Sequence, residues 1–185
     1  MTYLKKKRID FKLKGTQYER DISKPIGLWW CNDAKALFRN SGSGNRRVDE
    51  VYGGDIAPCS DIAKPWNLCI EVKKSEGFSL DGFVKGNAAE PLLNHMLQCL
   101  SASQVGCNKI PLLICTKNYH KPLCFLYAGA KVKRKGKPFI ARLRWTWAIP
   151  EKLQKKYPWD GGEVDFFCLQ LEDFFASFTR EDFQR

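Results

Sequence analysis

Apolar positions recur along this chain at two periods. Over residues 16–30, Tyr18, Ile22, Ile26, Trp29 and Trp30 form one stripe at helical spacing, which predicts a helix. Pro25 lies inside that stripe. It removes an amide and disfavours helical geometry at Lys24, so a kink or break is expected there. Three short strand-like runs follow at 36–39, 48–58 and 66–74, the last alternating around Leu68, Ile70 and Val72. The Ser41-Gly42-Ser43-Gly44-Asn45 stretch after the first run is turn chemistry, and the three runs together predict a meander.

Residues 77–88 read as a loop or short helix. Pro91 then suits the first turn of a second helix, with Glu90 beside its positive end. Leu92, Leu93, Met96, Leu97 and Leu100 share its apolar face, and Gly106 can end it. Two further strands are expected at 110–116 and 123–127, joined by a polar turn over 117–122, and another at 145–147. There is no internal repeat and no low-complexity linker. The reading is a mixed α/β fold in which helices flank a sheet. It comprises a basic arm at 1–14 and a single domain at 15–185, divided into a core at 15–127 and an extension at 128–185.

Composition sharpens the picture. The chain has 185 residues, 44% hydrophobic and 28% charged, enough for a real core. Lys and Arg number 31 against 20 acids, a net charge of +11 that points to a polyanionic partner. The excess is local. The 1–14 segment carries Lys5, Lys6, Lys7, Arg8, Lys12 and Lys14 against Asp10. Residues 131–144 hold seven cations and no acid, whereas 160–185 hold seven acids and two Arg. No apolar run approaches the roughly 20 residues of a membrane span, and no apolar stretch backs the basic start as in a secretory signal. A cytoplasmic protein without membrane contact is expected. The eight cysteines lack C-x-x-C spacing, so a zinc finger has no support. Cys69, Cys115 and Cys124 sit in apolar runs, as buried free thiols do.

The informative chemistry lies between Gly53 and Lys73. Gly53-Gly54-Asp55 closes one strand-like run, and Leu68-Cys69-Ile70-Glu71-Val72-Lys73 forms the next, with fifteen residues between Asp55 and Glu71. Positions i and i+2 of a strand share a face, so Glu71 and Lys73 project together while Ile70 and Val72 point to the other side. Asp55 can reach the same rim. Two converging carboxylates hold a hard divalent cation, and a neighbouring ammonium orients or deprotonates water and offsets charge on a phosphate. That is equipment for phosphodiester hydrolysis. Glu-x-Lys by itself is also the pattern of an ordinary surface ion pair.

The Asp55 … Glu71-Val72-Lys73 arrangement resembles the D…(D/E)-x-K signature of the PD-(D/E)XK nuclease superfamily. The order of elements is similar to that of archaeal and bacteriophage Holliday-junction resolvases and their phage endonuclease relatives. The resemblance includes Lys14-Gly15-Thr16-Gln17-Tyr18-Glu19-Arg20 on the first helix and Arg39-Asn40-Ser41-Gly42-Ser43-Gly44 after the first strand. It continues through the helix carrying Gln98 and the strand that begins Lys109-Ile110-Pro111, and it covers roughly residues 14–127. Gly54 stands where the superfamily name has proline.

The resemblance implies a restriction-endonuclease-like α/β fold with an α-β-β-β-α-β core and a metal-dependent endodeoxyribonuclease acting on branched DNA. It implies Mg²⁺ or Mn²⁺ held by Asp55, Glu71 and the Val72 carbonyl, Lys73 as catalytic lysine, and Glu19 as direct or water-mediated support. Arg39, Ser41, Ser43 and Gln98 would contact DNA or order the site, with Gln104 as competitor to Gln98. Lys133, Arg134 and Lys135 are expected to grip backbone phosphates, although the 131–137 run also has the form of a nuclear localisation signal. A homodimer would suit a two-fold junction, through the apolar face of 139–149 or the C-terminal Phe cluster. Two other readings stand beside this one: a nicking, flap or single-strand endonuclease on the same core, and a DNA-binding protein without catalysis. His95 and His120 are too few for a histidine–metal nuclease, and Trp145 and Trp147 either stack on bases or cover apolar surface.

Overall fold

The computed structural model describes residues 2–40, 53–104, 109–130, 132, 139–159 and 163–183, with 2–14 as backbone only. Ser41, Ser43, Gly106, Lys133, Arg134 and Lys135 lie outside the described residues, as does most of the 48–58 run's first half.

Helix α1 spans Thr2–Cys31, so residues 2–14 of the basic segment continue into the amphipathic stripe as one helix. Pro25 does not break it. An internal proline costs a helix about 3 kcal/mol, and full burial of one large apolar side chain returns about 1.5–3. Ile22, Ile26 and Trp30 are all buried on the far side of that balance. The helix end is also tied down: Trp30 Nε1 donates to Ala63 O at 2.7 Å and Trp29 Nε1 to Phe178 O at 2.7 Å.

The expected meander follows: β1 (Leu37–Arg39) pairs antiparallel with β2 (Ile56–Pro58), and β2 with β3 (Leu68–Lys74). The chain then crosses over through α2 (Leu80–Val84) and α3 (Pro91–Gln104) to β4 (Ile110–Thr116), parallel to β3. Glu90 is buried at this crossover, and its Oε1 accepts from Ser79 N at 2.7 Å, joining the two helix starts. Strand β5 (Leu123–Tyr127) returns antiparallel to β4. The C-terminal third adds β6 (Ala141–Trp145), α4 (Glu151–Lys156), β7 (Val164–Gln170) and α5 (Leu171–Ser177). The seven-stranded sheet runs β1-β2-β3-β4-β5-β7-β6, with β3–β4 its parallel pair. This is a mixed α/β sheet flanked by helices, consistent with the restriction-endonuclease-like architecture.

Both faces of the sheet are covered. One packs Leu68, Ile70, Val72, Leu112 and Ile114 under α1 and α5; the other packs Leu113, Cys115, Phe125 and Phe166 under α2 and α3. The strand expected at 145–147 is β6, which ends at Trp145, before Trp147. Leu143 and Trp145 of the 139–149 face are buried, with Trp145 against Phe83 at 5.2 Å, and Phe166, Phe174, Phe178 and Phe183 are core residues. Most of the apolar positions expected to offer a dimer surface are therefore packed within the chain, while Ile140 and Trp147 of the 139–149 face stay exposed, at 53% and 46%. Arg142 and Arg144 of the basic segment bind Asp165 on β7. The seven cysteines among the described residues are unpaired, five of them buried. No helix among the described residues is long and apolar enough to cross a membrane.

Candidate active site

The site is built where β2 begins, beside the upper end of β3. Gly53 and Gly54 carry the chain into it through a narrow gap. A Cβ at Gly53 would strike the Ala102 carbonyl on α3, and one at Gly54 would lie 2.6 Å from Ile70 O. Gly54 also has φ +92, a conformation that side chains resist. Asp55 is then clamped by its backbone: its N–H donates to Ile70 O at 2.7 Å, and its carbonyl accepts from Asn40 N at 2.7 Å. Asn40 is buried, and its Nδ2 donates to Gly54 O at 3.2 Å. Its role as a brace for Asp55 escaped the sequence reading; the one available signal was a polar residue placed directly after a strand.

The three side chains expected to converge do so. Lys73 Nζ donates to Glu71 Oε2 at 2.6 Å and to Asp55 Oδ2 at 3.1 Å. Val72 N–H donates to Asp55 Oδ2 at 2.8 Å, so the β3 backbone orients that carboxylate. Glu71 and Lys73 share the α3 face of the sheet, as the two-residue period requires. That face is covered rather than open, and Asp55 and Glu71 are 1% and 2% exposed. Gln98 reaches down from α3, its Nε2 donating to Glu71 Oε2 at 2.9 Å. Gln104 sits exposed at the helix end, so the choice between the two glutamines is made by α3 lying over β3.

Glu19, on α1, forms an ion pair with Arg39 of β1, joining two residues expected near the site. Burial raises the Glu19 carboxyl above its usual range; Arg39 opposes this, and Asp55 adds to it. Glu71 is pushed up to about 8, first by burial and then by the Asp55 charge, against the pull of Lys73. Burial tends to lower the Lys73 ammonium, but Glu71 and Asp55 together outweigh it and raise its pKa, so the side chain stays cationic. His95, one turn before Gln98 on α3, is lowered to about 4 by burial and by Lys73. Both of its ring nitrogens, and Asn94 Oδ1 beside it, are buried with no hydrogen-bond partner.

Chemically, this is a pair of buried carboxylates held by one ammonium, one amide side chain and one backbone N–H. Among the described residues no group of three or more His, Cys, Asp or Glu gathers as a complete metal cage. Two hard oxygen donors are what a Mg²⁺-type ion takes from protein when water and phosphate fill its remaining positions. The raised Glu71 carboxyl is a further sign of fit, since a cation offsets the repulsion that raises it. The donor set therefore suits a divalent metal.

No curated protein and no solved structure matches the chain. A family model described as "Phage putative PDDEXK endonuclease" matches residues 10–185.

Proposed function

Because this chain belongs to that family of phage PDDEXK endonucleases, we propose that it hydrolyses DNA phosphodiesters in a divalent-metal-dependent reaction centred on Asp55, Glu71 and Lys73. The observation carrying this reading is the meeting of two buried carboxylates on one ammonium at the rim of β3. Asp55 and Glu71 would hold Mg²⁺ or Mn²⁺, with the Val72 carbonyl as a further ligand and Glu19 in support. Such an ion, when bound, polarises a phosphate oxygen and lowers the pKa of water.

The chain's own groups do the rest. Lys73 keeps its proton and acts as a donor to the negative charge that grows on the phosphate oxygens, a role in which one aligned donor is worth about 10²–10³ in rate. Gln98 holds the Glu71 oxygen and fixes its rotamer. Asn40 and the Val72 N–H fix Asp55. Arg39, Ser41, Ser43, Lys133, Arg134 and Lys135 would contact backbone phosphates, so affinity depends on salt.

The preferred substrate in this reading is branched DNA, met by a homodimer, because the order of elements over 14–127 resembles junction resolvases. The test is a panel of four-way junction, flap, single strand and plain duplex, incubated with Mg²⁺ or EDTA. Cleavage should be fastest on the junction, absent in EDTA, and reduced about 10²-fold or more by Lys73→Ala. No cleavage of any substrate, or equal cleavage by the variant, would refute the catalytic assignment. Preference for flaps or single strands would keep the nuclease and replace the substrate.

A further inference from the structure

The turn between β4 and β5 stands at the catalytic end of the sheet. Lys73 is paired with Cys115 and Lys74 with Thr116, and the turn begins at the next residue. From Cys115 to Tyr119 the chain can span at most about 13 Å. Tyr119 sits at the tip with its side chain wholly exposed, at 106% of the reference area. Its φ is +63, rare for a bulky residue and normally taken in such turns by glycine or asparagine. The turn does contain an asparagine, but one position earlier, at 118.

The base beneath this side chain is firmly tied. His120 N donates to Lys117 O at 3.3 Å. Thr116 Oγ1 lies 3.1 Å from Lys117 O and 3.3 Å from His120 O. Asn118 N donates to Glu76 Oε1 at 2.7 Å, Ser75 N to Thr116 O at 3.0 Å, and Lys117 Nζ rests 4.8 Å over the Phe78 ring. A large aromatic ring is thus held in an unfavourable conformation on a braced turn, and its exposure gives the fold nothing in return. Strain of this kind points to function.

We propose that Tyr119 is a stacking residue that receives a nucleobase of the bound substrate strand. The inference rests on the nucleic-acid reading above and names a contact within it. A single flat ring suits one base rather than an apolar protein patch. Lys117 and Lys121 flank it, the latter in an exposed pair with Glu172 at 2.8 Å, so a phosphate can compete for that ammonium.

Tyr119→Gly separates stacking from folding, because glycine accepts the backbone conformation that tyrosine resists. Binding of fluorescein-labelled four-way junction and single strand is followed by anisotropy in EDTA, with melting temperature measured in parallel. Tyr119→Gly should weaken binding about 5- to 150-fold, the range of one lost base–aromatic stack, with a melting temperature equal to or above wild type. Tyr119→Phe and Tyr119→Trp should keep wild-type affinity. If wild type binds and cleaves while Tyr119→Gly binds equally well, stacking is refuted and the nuclease reading stands. If wild type binds neither probe, both fall.

Discussion

Replacing Glu71 by glutamine should inactivate the protein and, without metal, make it more stable. Glu71 is 2% exposed, and its carboxyl is pushed up to about 8 from an ordinary 4.5 by burial and by Asp55. Between those two values the folded state holds a proton that the unfolded state has released. Stability is therefore full below 4.5 and is lost as pH rises toward 8. At pH 7 the loss is about 3 kcal/mol, at 1.36 kcal/mol for each of about 2.5 pH units. Glutamine carries no charge and keeps an oxygen to accept from Lys73 and Gln98. It also strips Lys73 of one counter-charge, which leaves an expected net gain of about 1–2 kcal/mol, or roughly 2–8 °C in a chain of this size. Urea unfolding in EDTA at several pH values gives the variant-minus-wild-type difference, in which contributions from other titrating groups cancel. The difference should be small at pH 5 and grow through pH 8. A flat difference, or a variant less stable than wild type at pH 8, would refute the account of the site as a strained carboxylate pair.

Gly54→Ala places a Cβ 2.6 Å from Ile70 O and 2.9 Å from Ile70 N at φ +92; it should cost about 2 kcal/mol or more and displace Asp55, seen as weakened Mg²⁺ binding by calorimetry. His95 is lowered to about 4, so it is neutral in the fold while the unfolded chain takes up a proton near 6.5. Stability should fall by up to about 3 kcal/mol as pH drops from 6.5 to 4. His95→Phe should flatten that slope, and an unchanged slope in acid unfolding curves would rule His95 out as its source. Glutamine at Lys5, Lys6 and Lys7 together should reduce the slope of log affinity against log salt by about 3 if all three neutralise phosphates, and leave it unchanged if none does.

Features governed by neighbours in the chain were legible from the sequence. The alternation of 68–74 placed Glu71 and Lys73 on one face, because strand geometry alternates by residue whatever the rest of the fold does. The glycines before Asp55 marked a special backbone, and the first helix, the meander and the Pro91 helix showed in their apolar periods. The burial of the carboxylates was not legible, because a strand pattern says which residues share a face and not whether a helix covers it. The pairing of Glu19 with Arg39 likewise joins two elements that no local rule brings together. The C-terminal third shows the limit most plainly. Strand β7 inserts between β5 and β6, and four phenylalanines of the C-terminal cluster, Phe166, Phe174, Phe178 and Phe183, fill the chain's own core. Residue order determined the candidate chemistry and the local elements that carry it. Tertiary packing alone decided which charges met, which were cut off from water and which apolar faces were left over, because those outcomes depend on contacts between distant segments.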